Sequence, residues 1–160
     1  EGKILSHFSV VNIKNLIKFI IDIYQENVKR KELKIDFKTN NKISNIEADP
    51  EKLSIAIKNL IDNAISYSPN NSIIEIIITD QKKNIAIQIT NSNQGILPSE
   101  KSRLFSKFFR GQNAIKMETV GSGLGLFISK NIIEAHHGTI TFNLDQQNII
   151  FTVTLPIHQK

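Results

Sequence analysis

The sequence contains no cysteine and no tryptophan, and its one methionine is Met117. Without cysteine, neither a disulfide framework nor a cysteine-ligated zinc site can form. No apolar run approaches the roughly 18 residues of a membrane-spanning helix, because Lys18 and Asp22 interrupt the apolar stretch from Leu16 to Tyr24. The chain opens with Glu1-Gly2 and shows no secretory signal. We therefore expect a piece of a longer protein, whose targeting or membrane segments would lie upstream.

The charge balance is positive, with a formal net charge of +5. Part of it lies in Lys29-Arg30-Lys31, a cluster typical of a helix end, where cations stabilise the negative end of the dipole. No aromatic residues are interleaved with these cations, so we expect no nucleic-acid partner. The same charge favours a polyanionic ligand such as a nucleoside triphosphate. The length suits one domain with one core.

Apolar periodicity predicts four helices and six strands. The helices are expected at 12–31, from Asp49-Pro50 to just before Pro69, at 99–105 and at 122–137; the strands at 33–39, 44–48, 73–79, 84–90, 139–144 and 148–155. The pattern predicts an α+β two-layer sandwich, in which three helices cover one face of a mixed, mostly antiparallel sheet. Residues 1–9 are assigned to a linker or to the end of an upstream helix, and residues 10–160 to the domain.

Two asparagines stand on the second helix in Asn59-Leu60-Ile61-Asp62-Asn63-Ala64. Residues four apart lie on one helix face, so Asn59 and Asn63 point the same way. Their carboxamides can offer a carbonyl oxygen to Mg²⁺ and N–H groups to phosphate. Taken alone, the pair is also typical of an ordinary polar helix surface.

Two further segments combine glycine with element boundaries. Gly121-Ser122-Gly123-Leu124-Gly125-Leu126 opens a helix, where backbone can approach an anion and the helix N-terminus favours phosphate. It lacks the Gly-Lys-Ser/Thr of a P-loop and does not follow a strand in a βαβ unit. Asn91-Ser92-Asn93-Gln94-Gly95-Ile96 ends a strand, and a polar side chain there can read the edge of a base.

These segments, with Phe105-Ser106-Lys107-Phe108-Phe109-Arg110, occur in an order that resembles the catalytic and ATP-binding domain of sensor histidine kinases. That domain belongs to the GHKL superfamily and has the Bergerat nucleotide-binding fold. The resemblance covers roughly residues 10–157. Asn59 to Pro69 is similar to the N box, Asn91 to Ile96 to the first glycine box, Phe105 to Arg110 to the F box, and Gly121 to Leu126 to the second glycine box.

The resemblance implies Mg²⁺ and ATP as cofactors, and it implies a role for each matching residue. Asn63 would ligate the metal, Asn59 would lie beside it as a catalytic residue, and Arg110 would neutralise phosphate charge, with Lys116 as a further candidate. Residues 106–120 would form the ATP lid. The nucleotide site would comprise Asn59, Asn63, Tyr67, Asn91, Gly95, Ile96, Phe105, Phe108, Arg110, Gly121, Ser122, Gly123, Leu124, Gly125 and Leu126.

The sequence departs from the family pattern in the first glycine box and in the N box. Asn91 and Asn93 replace the usual Asp and first Gly, and Ser66 stands where the family often has Lys or Arg. A neutral amide accepts the adenine amino proton less strongly than a carboxylate, by about 1 kcal/mol. Asn93 tolerates left-handed backbone angles at modest cost. These departures concern affinity more than fold.

Asn59 also bears on the kind of chemistry. The chaperone, gyrase and mismatch-repair branches of the superfamily carry Glu there as a general base for water. A carboxamide has no useful basicity at neutral pH, so we expect slow ATP hydrolysis. That suits a kinase whose catalysis depends on positioning and charge neutralisation.

The phosphoacceptor histidine of such kinases lies on a separate dimerising hairpin. His7 is followed by Phe8 and Ser9 and does not fit that site, and adjacent His136 and His137 point about 100° apart on a helix. We therefore expect a monomeric fragment whose partners are the missing acceptor domain and a downstream response regulator. The resemblance implies a cytoplasmic domain of a protein that could be anchored in the inner membrane. The competing interpretations are a degenerate regulatory scaffold without useful ATP affinity, and a slow ATP hydrolase or anti-sigma-type serine kinase.

Overall fold

A computed structural model of the chain describes residues 7–40, 42–92, 97–106, 124–145 and 147–159. The strands are β1 (Ser9–Val11), β2 (Lys34–Asn40), β3 (Ile46–Ala48), β4 (Ile73–Asp80), β5 (Asn84–Ser92), β6 (Thr139–Leu144) and β7 (Asn148–Pro156). The helices are α1 (Ile13–Ile23), α2 (Gln25–Arg30), α3 (Pro50–Tyr67) and α4 (Gly125–Ala135), and a short 3₁₀ helix spans Pro98–Arg103.

The main sheet has five strands in the order β2-β4-β5-β7-β6. Strands β2 and β4 are parallel, and the other neighbours are antiparallel. Strands β1 and β3 form a separate antiparallel pair. The predicted fold class, a mixed and mostly antiparallel sheet under helices, is confirmed.

One face of the sheet forms the core. Alternate residues of β4 and β5 are fully buried, as the period of a half-covered strand requires, whereas Gln88 on the other face is exposed. The inward stripe of α3 packs above them within one apolar cluster, which includes Leu53, Ile57, Leu60, Ile61, Ile74, Ile76, Ile78, Ile85, Ile87 and Val153. No helix in the described part of the chain is long and apolar enough to cross a membrane.

Helix α3 starts and stops where the sequence predicts. The Asp49 side chain accepts a hydrogen bond from the Lys52 backbone N–H at 3.1 Å, and Pro50 occupies the first turn, a combination that favours helix initiation. At the other end the Ser68 hydroxyl donates to the Ala64 carbonyl at 2.6 Å, just before Pro69. This helix carries the asparagine pair.

The predicted single helix over 12–31 was wrong in one respect, because it is broken at Tyr24. The backbone there leaves helical angles, and the Tyr24 N–H bonds to the Ile21 carbonyl at 3.1 Å. Helix α1 buries Ile13, Ile17 and Ile20 completely, whereas α2 has no buried residue. Val28 of α2 contacts the core but is only partly buried, so the core holds α1 more extensively than α2.

The end of α4 also differs from the prediction. Helical residues stop at Ala135, and His137 adopts the left-handed conformation with φ 57, which ends a helix as glycine usually does. Gly138 serves the packing instead, because an added Cβ would lie 2.4 Å from the Thr154 carbonyl oxygen of β7. The predicted start at Ser122 lies outside the described residues.

Two segments expected to be loops or linkers are held by the sheets. Asn91 and Ser92, predicted to open a loop, are the last residues of β5, paired with Ile149 and Asn148 of β7. Strand β1 begins at Ser9, one residue before the expected domain boundary, and pairs with Ala48. The predicted short helix over 99–105 is the 3₁₀ helix Pro98–Arg103.

Candidate nucleotide-binding site

One side of α3 carries three of the predicted site residues. Asn59, Asn63 and Tyr67 are spaced four residues apart and are all half-buried, so they follow one another along the helix beside its core stripe. The neighbouring Leu60 and Ala64 are almost fully buried. Because the core holds this helix, the two carboxamides have a fixed spacing along its surface.

The first turn of α4 lies against Asn59. The Asn59 side-chain nitrogen donates to the Gly125 carbonyl at 3.3 Å. Only an N–H can donate to a carbonyl, so the other side-chain atom, Oδ1, remains available as an acceptor. Leu124 and Leu126 on either side of Gly125 are half-buried. The structure thus brings the N-box segment and the end of the second glycine segment together.

Asn91 is held rigidly at the end of β5. Only 3% of its surface is exposed, and its side-chain nitrogen donates to the Ser92 carbonyl at 3.1 Å. In this arrangement its Oδ1 is again the acceptor. A buried, oriented carboxamide of this kind can read a hydrogen-bond donor on a ligand.

Phe105 packs on the sheet between β6 and β7. Its ring meets Phe142 edge-on with centroids 5.5 Å apart and Phe151 at 6.2 Å. The Lys130 ammonium lies 5.7 Å from the centroid of the Phe105 ring. Phe105 therefore anchors the end of the segment before the predicted lid, and its contact with nucleotide stays a prediction.

Several predicted site residues lie outside the described residues. They are Gly95, Ile96, Phe108, Arg110, Lys116, Gly121, Ser122 and Gly123. Their assigned roles in holding the base, the phosphates and the lid stay predictions.

Sequence reasoning missed Lys31, which it assigned to a solvated helix end. The Lys31 ammonium donates to the carbonyls of Ile65 and Ser66 at 2.7 and 3.1 Å. It thus caps the last turn of α3, directly before Tyr67, where carbonyl groups lack helical partners. Burial, and then the charge of Arg30, lower the pKa of Lys31. No local pattern signals this contact, because the partners are 34 residues apart.

Ser129 was missed as well. It lies on the buried side of α4, and its hydroxyl donates to the Ala56 carbonyl of α3 at 3.0 Å. The available signal was its spacing of four residues from Gly125, which puts both on one helix face.

The electrostatics beside the asparagine pair involve Asp62 and Tyr24. Burial raises the pKa of Asp62, although the charge of Lys58 opposes the shift. Burial, together with the Asp62 charge, raises the pKa of Tyr24 to about 12. Adjacent helical residues point about 100° apart, so Asp62 and Asn63 lie on different sides of α3.

Comparison with known proteins identifies the family. Residues 48–159 match the family described as histidine kinase-, DNA gyrase B-, and HSP90-like ATPase. The chain belongs to this family. Its relatives are named histidine kinases, so it is an ATP-binding domain of the histidine kinase type.

Two relatives illustrate the match. Histidine kinase P4 of Formosa agariphila is 35% identical over 150 residues, which are 89% of this chain and 11% of that protein. The sensor-like histidine kinase SenX3 of Mycobacterium tuberculosis is 40% identical over 109 residues, or 68% of this chain and 27% of that protein. The chain thus spans about a tenth to a quarter of the length of these relatives.

A solved structure shows the same architecture. The nucleotide-free catalytic domain of histidine kinase ThkA superposes with a TM-score of 0.83 at 26% identity, covering 96% of this chain and 99% of that one. ThkA in complex with the response regulator protein TrrA matches with a TM-score of 0.79 at 26% identity, over 94% of this chain and 42% of that one.

Proposed function

We propose that this chain is the Mg·ATP-binding catalytic domain of a two-component sensor histidine kinase. The intact protein would use it to transfer the γ-phosphoryl group of ATP to a histidine on a dimerisation and phosphoacceptor domain outside this sequence. The imidazole nitrogen would attack the γ-phosphorus as the bond to the β-phosphate breaks, and ADP would leave. The histidine kinase names of the relatives, and the complex of ThkA with a response regulator, support this assignment.

The observation that carries the proposal is the contact between α3 and the first turn of α4. Asn59 and Asn63 share a face of α3, and the Asn59 amide bonds to Gly125 at the start of α4. A helix N-terminus favours anionic phosphate. The site therefore combines amide groups and a helix start in one place, which suits a polyphosphate ligand.

The side chains fit a magnesium ion that is shared with phosphate. Mg²⁺ prefers hard oxygen ligands and commonly retains waters and substrate phosphates. Because the Asn59 nitrogen is held by Gly125, the Asn59 Oδ1 is left as an acceptor for a ligand, and Asn63 lies one turn further along the same face of α3. We assign Asn63 as the metal ligand, with Asn59 beside it and Arg110 as a cation for the phosphates. The bound ion would neutralise charge on the transferring phosphoryl group.

The same geometry argues against rapid hydrolysis. Asn59 stands where other branches of the superfamily place a general base, and an amide cannot accept a proton from water at neutral pH. Its nitrogen is already bonded to the Gly125 carbonyl. We expect the domain to keep its phosphoryl donor intact until an acceptor histidine is presented.

We further propose the arrangement of the intact protein. Residues 1–9 would connect the domain to the acceptor hairpin, and a response regulator would receive the phosphoryl group afterwards. This domain would lie in the cytoplasm, with the intact protein anchored in the inner membrane. Since the family dimerises through the hairpin, this chain alone would be monomeric.

The test is a calorimetric titration of the chain with a non-hydrolysable ATP analogue, with and without Mg²⁺. We expect micromolar to sub-millimolar binding that weakens without Mg²⁺ and weakens again in Asn63→Ala. Asn131→Ala is the matched control, since Asn131 is an exposed helical asparagine of α4. It should bind the analogue as the parent chain does.

No binding at millimolar analogue would overturn the kinase assignment and leave a scaffold that only resembles one. Equal binding by Asn63→Ala and the parent chain would instead mean that Asn63 does not ligate the metal. Rapid release of inorganic phosphate from ATP by the chain alone would favour a hydrolase.

A further inference from the structure

Ser129 makes a buried hydrogen bond that leaves its own helix. Its surface is 0% exposed, and its hydroxyl donates to the Ala56 carbonyl of α3 at 3.0 Å. A helical serine more often bonds back to the carbonyl four residues earlier in its own helix. That carbonyl belongs to Gly125, which already accepts the side-chain amide of Asn59. Ser129 instead reaches across the helix interface.

The two cross-helix bonds run in opposite directions. Asn59 of α3 donates to backbone of α4, and Ser129 of α4 donates to backbone of α3. The partners are three residues apart on α3 and four apart on α4, about one helical turn in each case. A pair of bonds one turn apart resists both sliding and rotation of α4 along α3.

The interface is built of small residues at these points. Ala56 is fully buried, and a Cβ added to Gly125 would lie 3.7 Å from Asn59 Cβ and Cγ, which is ordinary contact distance. Small side chains let two helix backbones come close enough for a serine hydroxyl to span the gap. The position of α4 is therefore set directly against the turn of α3 that carries Asn59.

We propose that Ser129 is a positioning residue of the nucleotide site. It holds the first turn of α4 in register with Asn59 and Asn63. This inference rests on the proposed function, because it assigns Ser129 to the same Mg·ATP site. Without the hydroxyl the fold remains, because Ile132 and Ile133 still pack in the core, but the first half of α4 loses one of its two hydrogen bonds to α3.

The experiment compares Ser129→Ala with Ser68→Ala. Ser68 is also 0% exposed, and its hydroxyl also donates to an α3 carbonyl, that of Ala64 at 2.6 Å, but both partners lie at the end of α3. The two variants thus lose the same kind of buried bond, and only one of those bonds crosses between helices. Measurements are thermal unfolding, calorimetric binding of the Mg²⁺ complex of a non-hydrolysable ATP analogue, and solvent exchange of the Asn59 side-chain amide by NMR.

We expect both variants to unfold at lower temperature than the parent chain. Ser129→Ala should bind the analogue roughly fivefold more weakly, the equivalent of about 1 kcal/mol for one hydrogen bond, and its Asn59 amide protons should exchange faster. Ser68→Ala should bind within about twofold of the parent chain. Should Ser129→Ala not fold, Ser129→Cys, which nearly keeps the volume but is a weak donor, should weaken binding in the same direction.

Parent-like binding by the Ser129 variant, or equal weakening by Ser68→Ala, would overturn the positioning role while leaving the proposed function intact. A parent chain that binds no analogue would overturn both together. The binding of the parent chain therefore distinguishes the two failures.

Discussion

Asn91 occupies a buried position at the end of β5, and its side chain has two different ends. Its nitrogen donates to the Ser92 carbonyl, so Oδ1 is the acceptor available to a ligand. A carboxylate here would lose the bond to Ser92 and would bring a charge into a site that is 3% exposed, which is costly without a partner. The amide therefore stabilises the nucleotide-free domain. In the adenine contact that the family resemblance implies, it would be a weaker hydrogen-bond acceptor than a carboxylate.

We expect Asn91→Asp to separate these two effects. Binding of an ATP analogue should strengthen by roughly three- to tenfold, or about 1 kcal/mol, because a charged acceptor makes the stronger hydrogen bond. Without nucleotide the variant should unfold at a lower temperature. Calorimetric titration and thermal unfolding measure the two changes.

Asn143→Asp supplies the control, since it makes the same change of charge at an exposed residue of β6 and should alter neither quantity appreciably. If Asn91→Asp bound the analogue no more tightly than the parent chain does, Asn91 would lose its assigned role in reading adenine.

At the scale of elements, two glycines at opposite ends of α4 have different functions. Gly125 opens the helix with room for a methyl group, since an added Cβ would be 3.7 Å from Asn59. Gly138 follows the helix end, where an added Cβ would lie 2.4 Å from the Thr154 carbonyl oxygen, 3.0 Å from Leu155 and 3.1 Å from Ile133. Backbone of β7 cannot move aside as a flexible side chain can, so only the second glycine is required by packing.

We therefore expect Gly138→Ala to lower the free energy of unfolding by about 1–3 kcal/mol, the usual cost of overpacking. Gly125→Ala should leave this free energy unchanged or slightly higher, because alanine favours a helix more than glycine does. Denaturant unfolding of the two variants measures both. A similar loss of unfolding free energy in both variants would mean that a side chain at position 125 is obstructed by atoms other than those of Asn59.

The elements that local chemistry defines were the ones that sequence could predict. Asp49-Pro50 and the residues before Pro69 bound α3 as expected, and the alternating isoleucines of β4 and β5 form the buried face of the sheet. The break at Tyr24 has no glycine or proline to mark it. It depends on which residues reach the core, and that is decided by tertiary packing.

Contacts between distant segments were out of reach of sequence patterns for the same reason. Lys31 lies in a cationic cluster typical of any helix end, yet the helix end that it caps is that of α3. The spacing of Ser129 from Gly125 places both on one face of α4, but nothing in the sequence indicates that this face contacts Ala56 of α3. Asn59, Asn63 and Asn91 were proposed as site residues because their order along the chain resembles a family, and their role stays a prediction. The hydrogen bonds of Asn59 and Asn91 could not be predicted in this way.

At the scale of the whole molecule, Asp49 joins several segments that are far apart in sequence. Its side chain caps α3, accepts the backbone N–H of His7 at 2.9 Å and lies 3.7 Å from the Lys52 ammonium. Its own backbone N–H donates to Nε2 of His136 at 3.0 Å, beyond the end of α4. The Gln159 side chain then reaches the His136 carbonyl at 3.1 Å. Asp49 and His136 thus form a junction that links His7, just before β1, and Gln159, after β7, to the start of α3 and the end of α4.

His136 itself is held as one neutral tautomer. Its Nε2 faces the Asp49 N–H, a donor, so it must be the acceptor; Nδ1 lies 2.8 Å from the Ile132 carbonyl, so it carries the proton. The Phe8 ring packs edge-on against the imidazole, with centroids 5.3 Å apart. Phe8, directly before β1, therefore contacts the end of α4 through the fully buried side chain of His136.

The Asp49 carboxylate makes this junction sensitive to acid. Burial acts to raise the pKa of Asp49, but the backbone hydrogen bonds from His7, Lys52 and Glu51, together with the charge of Lys52, outweigh it and hold the pKa below its usual value. A carboxylate whose pKa is lowered by folding stabilises the protein at pH values above its unfolded-state pKa of about 4. That contribution is lost as the pH falls through its folded-state pKa. The pKa of Glu47 is lowered too, first by the Gln159 backbone bond and then by His158.

We expect the unfolding temperature to fall as the pH is lowered from about 5 towards 2, the window that these lowered carboxyl pKa values define. In Asp49→Asn the amide can still cap α3, so the protein should fold, but its unfolding temperature should be lower at neutral pH and should decline less in acid. Asp22→Asn is the matched control, because Asp22 is an exposed residue of α1 and should leave the acid profile as it is. Calorimetric scans across the pH range measure all three proteins. An Asp49→Asn profile parallel to that of the parent chain would mean that protonation elsewhere governs acid unfolding, and that the junction of the chain ends with α3 and α4 does not depend on this charge.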